Sequence, residues 1–355
     1  MAPQTEQESK SEEALRNMRL NLMMNVPDES QLQNRIAQPK PRVHFAGRPE
    51  GAGQLETFRE DAISSEMFYG EYHGHLPVHL REIVDSLRAD NSSRSVIYLC
   101  GDSSLDNKYW LPDDQRRDAI NGYEKKLVPP RMVPDVAYWL NKECVQRGIG
   151  DQFCAVNASV EESTLADRAG DSLLVQDAFI RDHIQEQDVL VVSVGGNDVA
   201  LRPRVSTITS IAALLLSPRW LIRRHWAPGF RHFIKMFQHD TRRLIEKVTS
   251  ETRPKCVVVC MYYYFDEQPG GSWADYVLSK LGYDRDPTKL QLVMREVFAA
   301  ATENINLDGV KVVPLPLYTV LDGKNPADYE QRVEPSVQGG QKMAGAMMDY
   351  ILAAM

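Results

Sequence analysis

The sequence predicts a three-layer α/β/α fold built on a parallel sheet, and three observations carry that prediction. Short apolar runs rich in Val, Ile and aromatic residues recur along the chain, as strands buried on both faces require. Segments with apolar residues at helical spacing alternate with them, the pattern of a doubly wound layer architecture. Two runs end in polar, glycine-containing turns, Gly101-Asp102-Ser103 and Gly195-Gly196-Asn197-Asp198, and the carboxyl ends of strands are where open α/β sheets bind ligands.

Taken in order, residues 1–77 read as an N-terminal extension. Its first eleven residues are rich in Gln, Glu and Ser, 15–24 is a short amphipathic stretch, and 27–53 is an irregular arm. No apolar signal core is present, so the expected location is intracellular, in the cytoplasm. One α/β domain then fills 78–355. An amphipathic helix over 79–88 leads into a first strand at 96–100, and a helix with Pro134 in its first turn runs to 147. A second strand at 153–156, a helix at 173–184 and a third strand at 188–194 follow. Residues 255–261 and 310–315 supply a fourth and a fifth strand, and a final helix covers 340–353.

An insertion at about 199–229 interrupts this alternation. Its apolar piece, Ile211 to Leu216, is too short and broken to span a bilayer. It reads first as a buried helix covering the sheet. Its functional readings are a cover over an apolar acyl pocket, or a lipid contact through 205–226, where Trp and Arg meet headgroups. The aromatic run Tyr262-Tyr263-Tyr264-Phe265 follows a strand end and is placed to line the same cavity.

A net charge of −8 argues against a nucleic-acid groove; the Arg-rich piece 219–226 is a local exception without a groove-entering motif. Five cysteines, odd in number and set mostly in apolar runs, read as core thiols of a reducing compartment. Cys256 and Cys260 share a strand face about 13 Å apart, too far for a disulfide. No cofactor pattern is present. His73-Gly74-His75 has no acidic or cysteine partner at ligand spacing, so no metal is expected. Nothing in the sequence sets an oligomeric state.

Gly101-Asp102-Ser103 and Gly196-Asn197-Asp198, in this order and separation, make the chain resemble the SGNH (GDSL-type) hydrolases from about residue 95 onward. The resemblance implies a five-stranded flavodoxin-like sheet and a small-molecule ester or acylated substrate. It implies Ser103 as nucleophile, with the Ser103 N–H and the Asn197 side-chain amide serving an oxyanion hole; Gly101, Asp102, Gly196 and Asp198 support the turns. Two departures from the family pattern stand out. Glu162 occupies the position of the oxyanion glycine, where a carboxylate opposes a developing negative charge. Gln331 and Glu334 stand where the last block has Asp and His, and no histidine follows His239.

Three options follow: Glu334 as the base, which burial would have to make basic enough, a histidine from elsewhere in the chain, or a hydrolase fold that has lost its chemistry. Helix starts lie on the catalytic edge of an α/β sheet, which makes His73, His75, His79, His225 and His232 topological candidates. Two functional classes stay open. One is an ester hydrolase or acyltransferase working through Ser103. The other is a non-catalytic module that binds an acylated ligand or a protein in the same cleft.

Overall fold

The computed structural model describes residues 62–89 and 91–355; the stretch 15–24 and the arm 27–53 lie outside the described residues. Five strands form the central sheet: β1 (Ser95–Gly101), β2 (Phe153–Asn157), β3 (Val189–Ser193), β4 (Cys256–Met261) and β5 (Lys311–Pro316). Their order is β2-β1-β3-β4-β5, the flavodoxin-like arrangement. Every neighbouring pair is parallel, with Leu99 opposite both Asn157 and Val191 and with Val258 opposite both Val191 and Val313. Every residue of β1 to β4 is buried, which explains their unbroken apolar character.

Twelve helices accompany the sheet among the described residues: α1 (Ser65–Gly70), α2 (Pro77–Ala89), α3 (Val136–Gln146), α4 (Val175–His183), α5 (Gly196–Ala200), α6 (Val205–Leu216), α7 (Arg219–Arg223), α8 (Phe230–Ile234), α9 (Thr241–Val248), α10 (Asp275–Lys280), α11 (Pro287–Ala300) and α12 (Val337–Ala354). The inner stripe of α2 is Leu80, Ile83, Val84 and Leu87, the i, i+3, i+4, i+7 pattern, and each side chain so buried contributes about 1.5–3 kcal/mol. α2 packs on α4, and α4 on α9; α3 and α12 pack together in the other helical layer.

Caps set the helix ends more closely than periodicity does. Asp135 accepts from the Tyr138 N–H at 2.8 Å and opens α3. Ser336 accepts from the Gly339 N–H at 3.1 Å, so α12 begins three residues before the periodic pattern predicts, at Val337.

The end of the N-terminal extension is part of the packed structure. Ile63 and Ser64 pair with Leu127 and Val128, and Phe68 of α1 is buried in the core. In the insertion, α6, α7 and α8 form a helical cover held by buried Ile211, Leu214, Ile222 and Phe230. α8 runs through a wide turn at Lys235–Asp240 into α9.

Candidate active site

β1 ends at Gly101, and the chain turns at once toward β3. A Cβ on Gly101 would lie 2.3 Å from the Ser193 carbonyl oxygen, so only glycine permits that approach. Asp102 then builds the turn that presents Ser103. Its buried carboxylate accepts from the Ser104 N–H at 3.1 Å, the Ser104 hydroxyl at 2.8 Å and the Tyr262 hydroxyl. Burial raises the Asp102 carboxyl above its ordinary range, against those three donors.

Beyond β3, α5 brings Asn197 to the same edge. Gly196 N–H donates to the Tyr262 hydroxyl at 2.7 Å, and a Cβ on Gly196 would strike that ring. Tyr262 thereby ties the Ser103 turn to the Asn197 turn. Asp198 accepts from the Leu165 and Ala166 N–H groups at 2.7 and 3.2 Å, locking α5 to the loop that follows β2. In that loop Glu162 holds φ +57, the left-handed conformation a glycine adopts freely and other residues adopt at a cost. Its side chain is turned to the Tyr72 hydroxyl, 2.9 Å from Oε1. Asn197 Nδ2 donates to the Ser163 carbonyl at 3.1 Å, leaving one amide hydrogen for a ligand.

Glu334 is positioned by a hairpin in which Tyr329–Glu330 pairs with Glu334–Pro335. Its turn carries Gln331 and Arg332, both left-handed at φ +48 and +67. Arg332 is buried and anchors the turn to Asp275 at 2.8 Å, Asp284 at 3.0 Å and the Asp266 carbonyl. The Tyr263 hydroxyl donates to the Val333 carbonyl at 2.7 Å, and Asn107 Nδ2 to the Pro335 carbonyl at 2.8 Å. Glu334 is thus held from both sides. The Ser103 hydroxyl donates to its Oε1 at 3.1 Å, while Oε2 is buried without a hydrogen-bond partner among the described residues. Burial pushes the Glu334 carboxyl up to about 8; the Ser103 hydrogen bond works against that, and the Asp102 and Glu162 carboxylates add to it.

The five histidines proposed as bases do not reach this site. No histidine among the described residues lines the cleft or the cavity that adjoins Ser103. His75 is buried with Nδ1 2.7 Å from the Phe68 carbonyl and its ring stacked on Phe68, and burial pulls it down to about 4. His73 lies against Tyr72, and His79 Nδ1 is buried beside Phe68. His225 pairs with Glu296 at 3.0 Å, and His232 with Thr207 at 3.0 Å. Each ring is taken up by local neighbours instead.

A buried ionic cluster supports the loop after β2. Lys108 Nζ lies 2.5 Å from Asp106 and 2.7 Å from Glu161, whose other oxygen accepts from the Gly74 N–H at 2.9 Å. Removing one member of such a group would strand a buried charge. His75, Asp106 and Asp135 could bring three ligand atoms within 4.8 Å of one another, but the Lys108 ammonium already neutralises Asp106.

Two spaces meet at Ser103. A narrow cleft is lined by Tyr72, Glu161, Glu162 and Leu201, and a deeper apolar cavity of about 100 Å³ by Ile211, Phe233, Phe237, Val277, Leu290 and Val293. Ser103, Asn197, Trp273 and Glu334 line both. The cavity also takes in Met261, Tyr262, Tyr263 and Phe265, the aromatic run after β4. Trp273 was missed by the sequence reading, since a lone Trp in a loop carries no motif. Its indole N–H is buried without a partner among the described residues.

No protein-family model matches the chain. No curated protein matches it either. Solved structures do. A GDSL-like lipase from Parabacteroides merdae is 18% identical, with a TM-score of 0.41 and coverage of 73% of this chain and 95% of the other. An acetyl xylan esterase variant from Geobacillus stearothermophilus is 16% identical with the same TM-score and coverage. An extracellular lipase from Streptomyces rimosus is 12% identical, with a TM-score of 0.39 and coverage of 72% and 99%. No helix among the described residues is long and apolar enough to cross a membrane.

Proposed function

We infer that the protein is a serine hydrolase of acyl esters in which Ser103 is the nucleophile and Glu334 the base. The observation that carries this reading is the 3.1 Å hydrogen bond from the Ser103 hydroxyl to a buried carboxylate at the mouth of an apolar cavity. A base works best when its pKa lies near the working pH, and a carboxyl near 8 meets that condition where an ordinary glutamate does not.

In the reaction, Ser103 Oγ attacks the ester carbonyl carbon as its proton passes to Glu334. The oxyanion is met by the Ser103 and Glu162 N–H groups and the free Asn197 amide hydrogen. Collapse of the tetrahedral adduct breaks the bond to the leaving alkoxide, which takes the proton from Glu334. Water then repeats the sequence on the acyl-enzyme, releasing the carboxylic acid and restoring both side chains. The acyl chain lies in the apolar cavity; an apolar cavity of about 150 Å³ accepts benzene, so the space here suits a single short chain.

Ligand binding without turnover is the second reading, and the Glu162 carboxylate beside the oxyanion position favours it. Labelling with an alkyl fluorophosphonate, mapped by mass spectrometry, separates the two. A Ser103 adduct that forms faster as pH rises toward 8, and is absent in Ser103→Ala, supports the hydrolase. A folded sample that stays unlabelled at pH 9 leaves the binding reading.

A further inference from the structure

Residues 199–239 hold seven Arg and Lys and no Asp or Glu, in a chain whose net charge is −8. Within this segment Trp220 is 56% and Trp226 66% exposed, and Leu216, which ends α6 just before α7, is exposed as well. Arg219 is tied to Asp286, and Arg202 to Asp167. Arg204, Arg223 and Arg231 are exposed and have no acidic partner among the described residues. The Arg224 guanidinium lies 5.4 Å from the centre of the Trp226 ring. The turn bearing these groups is well anchored: Ile222 is fully buried, and His225 stacks on Phe230 and pairs with Glu296.

We propose that α7 and the turn to Trp226 form a docking surface for an anionic lipid bilayer. Tryptophan is favoured at the headgroup level because its ring is apolar and its N–H polar, and unpaired arginines beside it meet lipid phosphates. A nucleic acid would also attract the arginines. Two exposed tryptophans and the exposed Leu216 favour the lipid, as does the position of the patch. The inner faces of α6 and α8 line the apolar cavity through Ile211 and Phe233, so the docked surface and the acyl site share their walls. Docking does not depend on Ser103 chemistry, and it is measured separately from it.

The test is sedimentation of the full chain with vesicles of phosphatidylcholine containing phosphatidylglycerol, against pure phosphatidylcholine vesicles. Binding is expected to the anionic vesicles and to weaken with salt. Each surface arginine contributes about fivefold to such binding, so Arg223→Gln with Arg224→Gln should weaken it about 30-fold. Trp220→Phe with Trp226→Phe should keep binding while removing the blue shift of tryptophan emission on vesicles. All variants should unfold at the wild-type temperature and hydrolyse or bind a soluble short ester as wild type does. The proposal is overturned by absence of binding, by equal binding to both vesicles, by equal binding of the arginine variant, or by an unchanged blue shift in the tryptophan variant. Binding to a DNA oligonucleotide without binding to vesicles overturns it in favour of a nucleic-acid surface.

Discussion

Replacing Glu334 by Gln tests the site through two independent readouts. Burial moves this carboxyl from its ordinary 4.5 to about 8, so the folded protein binds one more proton than the unfolded chain between those values. Stability contributed by the group is therefore fully present below about pH 4.5 and is lost as pH rises through 8. At about 1.4 kcal/mol per pH unit the loss reaches about 5 kcal/mol. Glu334→Gln cannot ionise, so the difference in urea unfolding free energy between wild type and variant should swing toward the variant by about 4 kcal/mol from pH 5 to pH 9. Activity should move the opposite way. At pH 7 only about one-tenth of Glu334 is the carboxylate, and kcat/KM on a soluble p-nitrophenyl ester should rise nearly tenfold per pH unit until about pH 8. The amide cannot take the Ser103 proton, and the variant should lose on the order of 10²–10⁴-fold in kcat with no such limb. A stability difference that stays constant from pH 5 to 9, or an unchanged pH limb in the variant, would refute the assignment.

Three further outcomes follow from the geometry. Asn197→Ala removes one oxyanion donor and should lower kcat about 10²-fold with little change in KM, read from steady-state kinetics. Glu162→Gly releases a left-handed residue and withdraws a carboxylate from the oxyanion position; we expect a gain of about 1–2 kcal/mol in unfolding free energy and a roughly tenfold rise in kcat. Val293→Trp fills the apolar cavity from α11 and should shorten the longest p-nitrophenyl acyl chain accepted, leaving the acetate ester hydrolysed at the wild-type rate.

The sheet was legible because β1 to β4 are buried on both faces and so could tolerate only apolar residues; the run at 96–100 and the run at 188–194 could be read as strands without any partner in view. Ser103 and Asn197 were legible for a related reason. A strand fixes where its end must be, and the glycines that follow mark the close approaches seen at Gly101 and Gly196. The helix starts at Asp135 and Ser336 depended on single cap hydrogen bonds, which periodicity does not encode. What the sequence could not carry was the environment of Glu334. Its proton affinity is set by burial and by Ser103, Asp102 and Glu162, which come from two segments far from it in sequence, and it is held there by a hairpin turn that Arg332 ties to Asp275 and Asp284.

The same environment bears on the absence of a nearby imidazole among the described residues. A histidine base usually works as a triad member because a partner carboxylate orients it and stabilises its charged form. Here the carboxylate meets serine directly, and the stabilising problem is reversed: it must be made a stronger base by being denied water and donors. The structure does this to Glu334 Oε2, which has no hydrogen-bond partner among the described residues, while Oε1 keeps only the serine hydroxyl. Adding a donor to Oε2 would stabilise the carboxylate and lower its pKa, returning it toward ordinary glutamate behaviour. In the proposed hydrolase, burial of the carboxyl is the feature that makes Glu334 basic enough for that role.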